Sequence, residues 1–322
     1  MAIIYLDAEA TLLARATDAA ARLGERVGAA SPAIRAGWCS RALLHEASAS
    51  ARLDEIFVEA NDLLLMDQDA PERLVDQDVL RAYQGFRLLQ SVDRRHPRQL
   101  FTPRRLVAAA RLRLRERQEI AGYPEWIEAR RSDPTEIRMA LAKALDPASL
   151  ASLRAQAPLV GAAGLLGLWH GSGASDLLGG APGRALAASW MRRDFPALPG
   201  TSLPASGFLG HASDYRPEPT RRWISAYLEA SLRSSAWGLA LMDTLRRAEG
   251  RLRAGAPASR SSSRLPALID LLISTPAISA RRAADSLGIT PMSARRILDR
   301  LESRRLIREI TGNASFRLYT AA

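Results

Sequence analysis

The sequence predicts a mostly α-helical chain, a helical body joined by a short linker to a compact C-terminal module. Apolar residues recur at helical spacing through most of residues 1–253. The stretch 255–264, Gly-Ala-Pro-Ala-Ser-Arg-Ser-Ser-Ser-Arg, is small, polar and basic, with no apolar anchor. Residues 265–322 carry two helix-start signals on either side of a glycine, followed by two short strand-like runs. The expected boundaries are 1–150 for an N-terminal helical region, 151–253 for a helical core, 254–264 for the linker and 265–322 for the C-terminal module.

Taken in order, the alanine-rich run 10–27 places leucines at helical spacing, and 28–32 ends it. A long helical pattern over 38–66 carries an apolar stripe through Leu43, Leu44, Ala47, Leu53, Ile56, Leu63 and Leu64. Another helix is expected over 78–92. A further one over 102–117 has Thr102 as N-cap and Pro103 at the first helical position. The middle of the chain mixes helices with glycine-rich breaks at 171–175 and 179–183. Residues 185–193 read as helix, 196–219 as a loop or short hairpin, and 221–252 as a long amphipathic helix. Trp169, Trp190, Trp223 and Trp237 fall on apolar faces, which places them in the core. Gly161 and Gly164 follow no clear strand, so they indicate close helix packing and not a dinucleotide site.

The formal net charge is +11 and the isoelectric point near 10.8, which favours polyanionic partners such as nucleic acid. Arginine supplies nearly all of it; Lys143 is the sole lysine, and no glycine-rich phosphate loop precedes it. Cys39 is the sole cysteine, and His45, His96, His170 and His211 show no metal-ligand spacing, so neither metal nor cofactor is expected. The start lacks the pattern of a secretory signal, and the apolar run 158–169 is short and rich in glycine. A cytoplasmic protein with no membrane partner is expected.

In the C-terminal module a first helix is expected over 265–273 with Leu268, Leu271 and Leu272 turned inward, stopped by Thr275-Pro276. Ser279 caps a second helix over 280–287. Gly288 makes the turn, with Ile289 expected as a buried plug. Thr290 caps a third helix, with Pro291 at its first position, running to about Ser303. The runs 306–310 and 315–319 flank Thr311-Gly312-Asn313-Ala314 as a wing hairpin. This order is that of a winged helix-turn-helix. The third helix would enter the major groove of duplex DNA, with Met292, Ser293, Arg295, Arg296 and Arg300 presented to it. Thr290 and Ser279 at helix starts suit phosphates, and Arg281, Arg282 and Arg317 would add phosphate contacts. A homodimer is expected, because a single helix-turn-helix usually needs a second copy. The body is expected to carry that dimer contact or to receive a small-molecule or protein effector.

Several stretches match a family of uncharacterised bacterial proteins, often plasmid-borne, that pair a helical domain of unknown function with a C-terminal helix-turn-helix. They are Leu44-His-Glu-Ala-Ser-Ala-Ser-Ala-Arg-Leu-Asp-Glu, Glu59-Ala-Asn-Asp-Leu-Leu-Leu-Met-Asp, Gly288-Ile-Thr-Pro-Met-Ser-Ala and Arg308-Glu-Ile-Thr-Gly-Asn-Ala-Ser-Phe-Arg. The resemblance implies a transcriptional regulator. More distantly, the order of parts resembles the Fic family, whose members transfer AMP to protein hydroxyls. Ser50-Ala-Arg-Leu-Asp54-Glu55 is similar to the Fic inhibitory motif of Ser or Thr, three residues, Glu, then Gly or Asn. The best match to the catalytic loop is Gly180-Ala-Pro-Gly183-Arg184. Gly183 and Arg184 are kept, but Gly180 stands at the acid position, Pro182 at the Asn position and Asp176 at the His position. The resemblance implies a Fic-like helical scaffold with Gly183 and Arg184 as a vestigial phosphate-binding pair and Ser50 and Asp54 as an inhibitory-motif remnant. Catalysis is not expected, because the base and the metal ligand are missing.

Other constellations have plainer readings. Asp67, Asp69, Asp76 and Asp78 suit a solvated loop, and Gly171-Ser172-Gly173 near His170 lacks the Gly-x-Ser-x-Gly elbow of a hydrolase. The cluster of Arg94, Arg95, Arg98, Arg104 and Arg105 around His96-Pro97 suits a solvated helix connection, with a contact to DNA or an anion as the alternative.

Overall fold

Local sequence explains where most helices begin. The computed structural model describes residues 2–68, 76–93, 134–195, 205–256, 264–312 and 316–321. The body helices are α1 (Ala2–Gly28), α2 (Pro32–Leu53), α3 (Ala60–Asp67), α4 (Gln77–Asp93), α5 (Pro134–Ala144), α6 (Pro147–Arg154), α7 (Pro158–Gly171), α8 (Ala174–Leu178), α9 (Ala181–Arg192) and α10 (Arg221–Gly255). Ser31 accepts from the Ile34 N–H at 3.3 Å, Asp146 from Ser149 at 2.8 Å and Thr220 from Trp223 at 3.2 Å, so three helix starts are capped by side chains. Proline stands in the first turn of α2, α6 and α7, where its missing N–H is harmless.

The pattern over 38–66 was expected to be one helix, and the structure divides it. The chain leaves α2 at Asp54, and Glu55 takes a left-handed φ of 60°. Val58 then turns inward while its carbonyl accepts the Ser48 hydroxyl at 2.6 Å. The apolar stripe continues in phase across the break, which is why periodicity alone reads straight through it. Helix α9 also begins earlier than expected, inside the glycine-rich run, because Gly183 is needed for packing as much as for turning. A Cβ there would lie 2.5 Å from the Trp169 ring. The packing reading of Gly161 holds, with Trp190 Nε1 and the Leu153 carbonyl directly over it.

Two buried clusters lie along α10. Its first half contributes Trp223, Tyr227 and Leu228 to a cluster with Trp169, Trp190, Leu186 and Phe208. Its second half contributes Met242, Leu245 and Leu252 to a cluster with Leu23 and Val27 of α1 and Trp38 of α2. Trp237 departs from the core expectation: it is half-buried and stacks on His45 with centroids 4.0 Å apart. The helix expected over 102–117 and the basic cluster around His96 lie outside the described residues, as does 257–263 of the linker. Among the described residues, no helix is long and apolar enough to cross a membrane.

The C-terminal segment follows with α11 (Leu265–Ser274), β1 (Ile278–Ser279), α12 (Ala280–Leu287), α13 (Pro291–Ser303), β2 (Ile307–Glu309) and β3 (Leu318–Ala321). The strands form an antiparallel sheet in the order β1-β3-β2, with Ile278 opposite Tyr319 and Arg308 opposite Thr320.

Candidate nucleic-acid interface

The expected bounds of α12 are met, and α13 ends at Ser303. Ser279 accepts from the Arg282 N–H at 3.2 Å. Gly288, at φ 63°, closes α12 in the left-handed conformation that only glycine adopts without strain. Ile289 is half-buried and so only partly the plug that was expected. Thr290 accepts from the Ser293 N–H at 3.2 Å and donates to the Ser293 hydroxyl at 2.9 Å. Ala294, Leu298 and Leu301 are the buried stripe of α13, so Met292, Arg295, Arg296, Asp299 and Arg300 face out.

The expected contact residues fall into two groups. Among the described residues, Arg281, Arg296 and Arg300 are exposed and have no ion pair. Arg295 lies 4.0 Å from Asp299, whose carboxylate also accepts from the Tyr319 hydroxyl at 3.4 Å. Arg317 is held at the Tyr319 hydroxyl, and that hydrogen bond together with Glu302 and Glu309 keeps its guanidinium above its ordinary pKa. Arg282 lies 4.0 Å from Asp67 at the end of α3. Within the outward row of α13, Arg296 and Arg300 are therefore the guanidiniums without an ion pair among the described residues.

The hairpin turn is braced internally. Glu309 accepts from the N–H of Thr311 and of Gly312, and the Thr311 hydroxyl contacts both Glu309 and the Phe316 carbonyl. Burial pushes the Glu309 carboxyl up, but these hydrogen bonds and the Arg317 charge hold it below its usual value. Sequence reasoning missed this brace, although Glu309-x-Thr-Gly is a short local signal. It also missed β1, two residues long and too short to show alternation.

A second omission is how the segment is seated. Arg41 of α2 donates to the Ile273 carbonyl at 2.8 Å and to the Thr275 carbonyl at 2.7 Å, capping the end of α11 from outside. Ser40 donates to the Ser274 carbonyl at 3.1 Å. A Cβ on Gly37 would lie 2.0 Å from the Ile273 oxygen, so α2 and α11 meet backbone to backbone. Burial pushes the Arg41 pKa down to about 10, which still leaves it charged at neutral pH. At the other end, Arg304 donates to the Gly255 carbonyl at 3.1 Å.

Within the body, the structure brings together Ser50, Asp54 and Arg184. The Arg184 side chain is 2% exposed; it donates to the Ser50 hydroxyl at 2.6 Å, the Ser50 carbonyl at 2.9 Å, Asp54 at 2.5 Å and the Tyr215 hydroxyl at 3.3 Å. His170 reaches the same centre edge-on to Tyr215, and burial followed by the Arg184 charge lowers its pKa. Gly183 packs on Trp169 and makes room for the helix that carries Arg184. A phosphate at Arg184 would have to displace Asp54.

Residues 265–320 match a family model described as an HTH DNA-binding domain. The chain is 40% identical over 60 residues to an uncharacterised protein, y4cF, of Sinorhizobium fredii (strain NBRC 101917 / NGR234). That stretch is 19% of this chain and 15% of the relative, so the chain covers only a small part of that protein's length. The C-terminal segment is thus a helix-turn-helix domain in a mostly helical chain.

Proposed function

We propose that this protein is a transcriptional regulator that reads duplex DNA in the major groove with α13, the third helix of a winged helix-turn-helix. The observation that carries this is the outward row of α13, where Arg296 and Arg300 are exposed and have no ion pair among the described residues. The capped start of α13 and the exposed Arg281 offer phosphate contacts, and the braced hairpin supplies the wing beside them. On this reading the protein works in the cytoplasm as a homodimer, which sets two reading helices one DNA turn apart, and the body supplies the dimer contact or an effector site.

The test is the salt dependence of binding to duplex DNA. Each neutralised phosphate adds about 0.9 to the slope of log affinity against log salt, so Arg281→Ala, at a phosphate contact, flattens it by about one unit, whereas Arg296→Ala relaxes sequence preference. A flat slope for the unaltered protein, or no binding at low salt, would sink the reading.

The assembled trio of Ser50, Asp54 and Arg184 favours a second reading, a divergent Fic-type nucleotidyl or phosphoryl transferase with an ancillary helix-turn-helix. It requires nucleotide binding. A thermal shift with ATP and magnesium that is lost in Arg184→Ala supports it, and an unmoved melting temperature removes it.

A further inference from the structure

Three large hydrophobic side chains are well exposed among the described residues, and one of them, Met292 at 63%, stands at the second position of α13. Single exposed apolar residues are ordinary on any surface; the position of this one is what matters. Met292 and Arg296 are four residues apart, so they share one face of the helix one above the other. Their neighbours are spoken for on one side, where Asp299 is drawn to Tyr319 and Arg295 to Asp299. Ser293, on the other side, is tied to the Thr290 cap. The outward row of the reading helix therefore presents one apolar side chain, Met292, beside two guanidiniums with no ion pair among the described residues, Arg296 and Arg300.

The floor of the major groove offers one apolar group, the C5 methyl of thymine, and the commonest arginine target there is the O6/N7 edge of guanine. Four residues of helix rise about 6 Å, close to two base-pair steps of about 3.4 Å. We infer that Met292 reads a thymine methyl within about two base-pair steps of a guanine held by Arg296, an inference that rests on the DNA reading above. The methionine suits this task because an unbranched thioether fits itself to a methyl at small conformational cost. The reading assigns this chain a preference for duplexes with thymine near guanine in each half-site. It also assigns Met292 to sequence discrimination, whereas Arg281 adds affinity to any sequence.

The full-length protein is used to select duplexes from a random pool, and each thymine of the selected sequence is then replaced singly by deoxyuridine, which lacks the methyl. Burying one methyl-sized group is worth about 0.8 kcal/mol, so a single replacement is expected to weaken binding about fourfold. Met292→Leu keeps that sensitivity, and Met292→Gln, similar in length but polar, erases it. Both variants sit on the exposed face, and matched thermal melts establish that they fold. If no thymine shows the effect, or if Met292→Gln retains it, the inference is overturned; a guanine preference lost in Arg296→Ala would then leave DNA reading by α13 intact. Failure to enrich any duplex overturns the DNA reading and this inference together.

Discussion

Glu46 stands on α2 one turn before Ser50 and two turns before Asp54, so a single helix face turns three polar side chains toward the Arg184 centre. It is 1% exposed and accepts from the backbone N–H of Ala205 at 3.1 Å and Ser206 at 3.0 Å. Burial pushes its pKa up to about 8, outweighing the Ser206 and Ala205 hydrogen bonds and the Arg184 charge that favour the carboxylate. The buried Tyr227, whose hydroxyl has no partner among the described residues, also has its pKa raised by burial and then by Glu46. The raised value fixes the sign of a pH effect. Between the ordinary 4.5 and about 8, the folded chain holds a proton that the unfolded chain releases. Stability from Glu46 is therefore complete below the unfolded pKa and is lost as pH rises through the folded one, by at most about 1.4 kcal/mol per pH unit. Thermal melts from pH 5 to 8 are expected to fall more steeply for the unaltered protein than for Glu46→Gln, which cannot ionise. His170 titrates in both proteins and drops out of the difference. Equal slopes would mean that Glu46 is ionised in the fold.

Among the elements, those with local chemistry at their ends were legible and those defined by distant partners were not. Helix α12 was readable to the residue at both ends and α13 at its start, because Ser279, Gly288, Thr290 and Pro291 each act within one turn of where they stand. The start of α10 was also legible from its long apolar stripe, although the helix continues past the expected 252 to Gly255. The break after α2 was hidden, since Leu53, Ile56 and Leu63 keep helical phase while the backbone between them does not. Strand β1 owes its existence to β3, which pairs with it across the whole length of the segment. Of the candidate surface, the sequence names the arginines, but their separation into engaged and exposed groups depends on Asp299, Tyr319, Glu302 and Asp67, which only the fold brings near them. Ser50, Asp54 and Arg184 were named together through a family resemblance. No spacing in the sequence says that residues 130 or more apart will form one hydrogen-bonded centre.

At the scale of the whole molecule, α2 joins the two ends of the argument. Gly37, Ser40 and Arg41 on its first half seat α11, and Glu46 and Ser50 on its second half, with Asp54 at its C-cap, line the Arg184 centre. Leu265, Leu268, Ile269, Leu272 and Ile273 of α11 lie in one buried cluster with Leu23, Val27, Trp38 and Met242 of the body. The helix-turn-helix segment is thus carried on a mount continuous with the body's own core, and a change in the position of α2 reaches α13 through packed atoms. Arg41 is the polar part of that mount. A hydrogen bond to a charged group contributes about 1.5 to 3 kcal/mol, so Arg41→Ala is expected to destabilise the seat of α11 by about that amount. Gly37→Ala acts more severely, because its Cβ meets the Ile273 oxygen and cannot be relieved by a side-chain rotation. Hydrogen exchange read along the chain separates the cases. Amides of 265–274 are expected to lose protection in Arg41→Ala, whereas amides of 291–303, which rest on Ala294, Leu298 and Leu301, lose less. On the proposed reading, DNA affinity should then fall with α13 itself still folded, because its orientation to the body is no longer fixed. Unchanged protection over 265–274 in both variants would show that the apolar cluster alone holds α11 in place, and that α2 has no grip through which to move it.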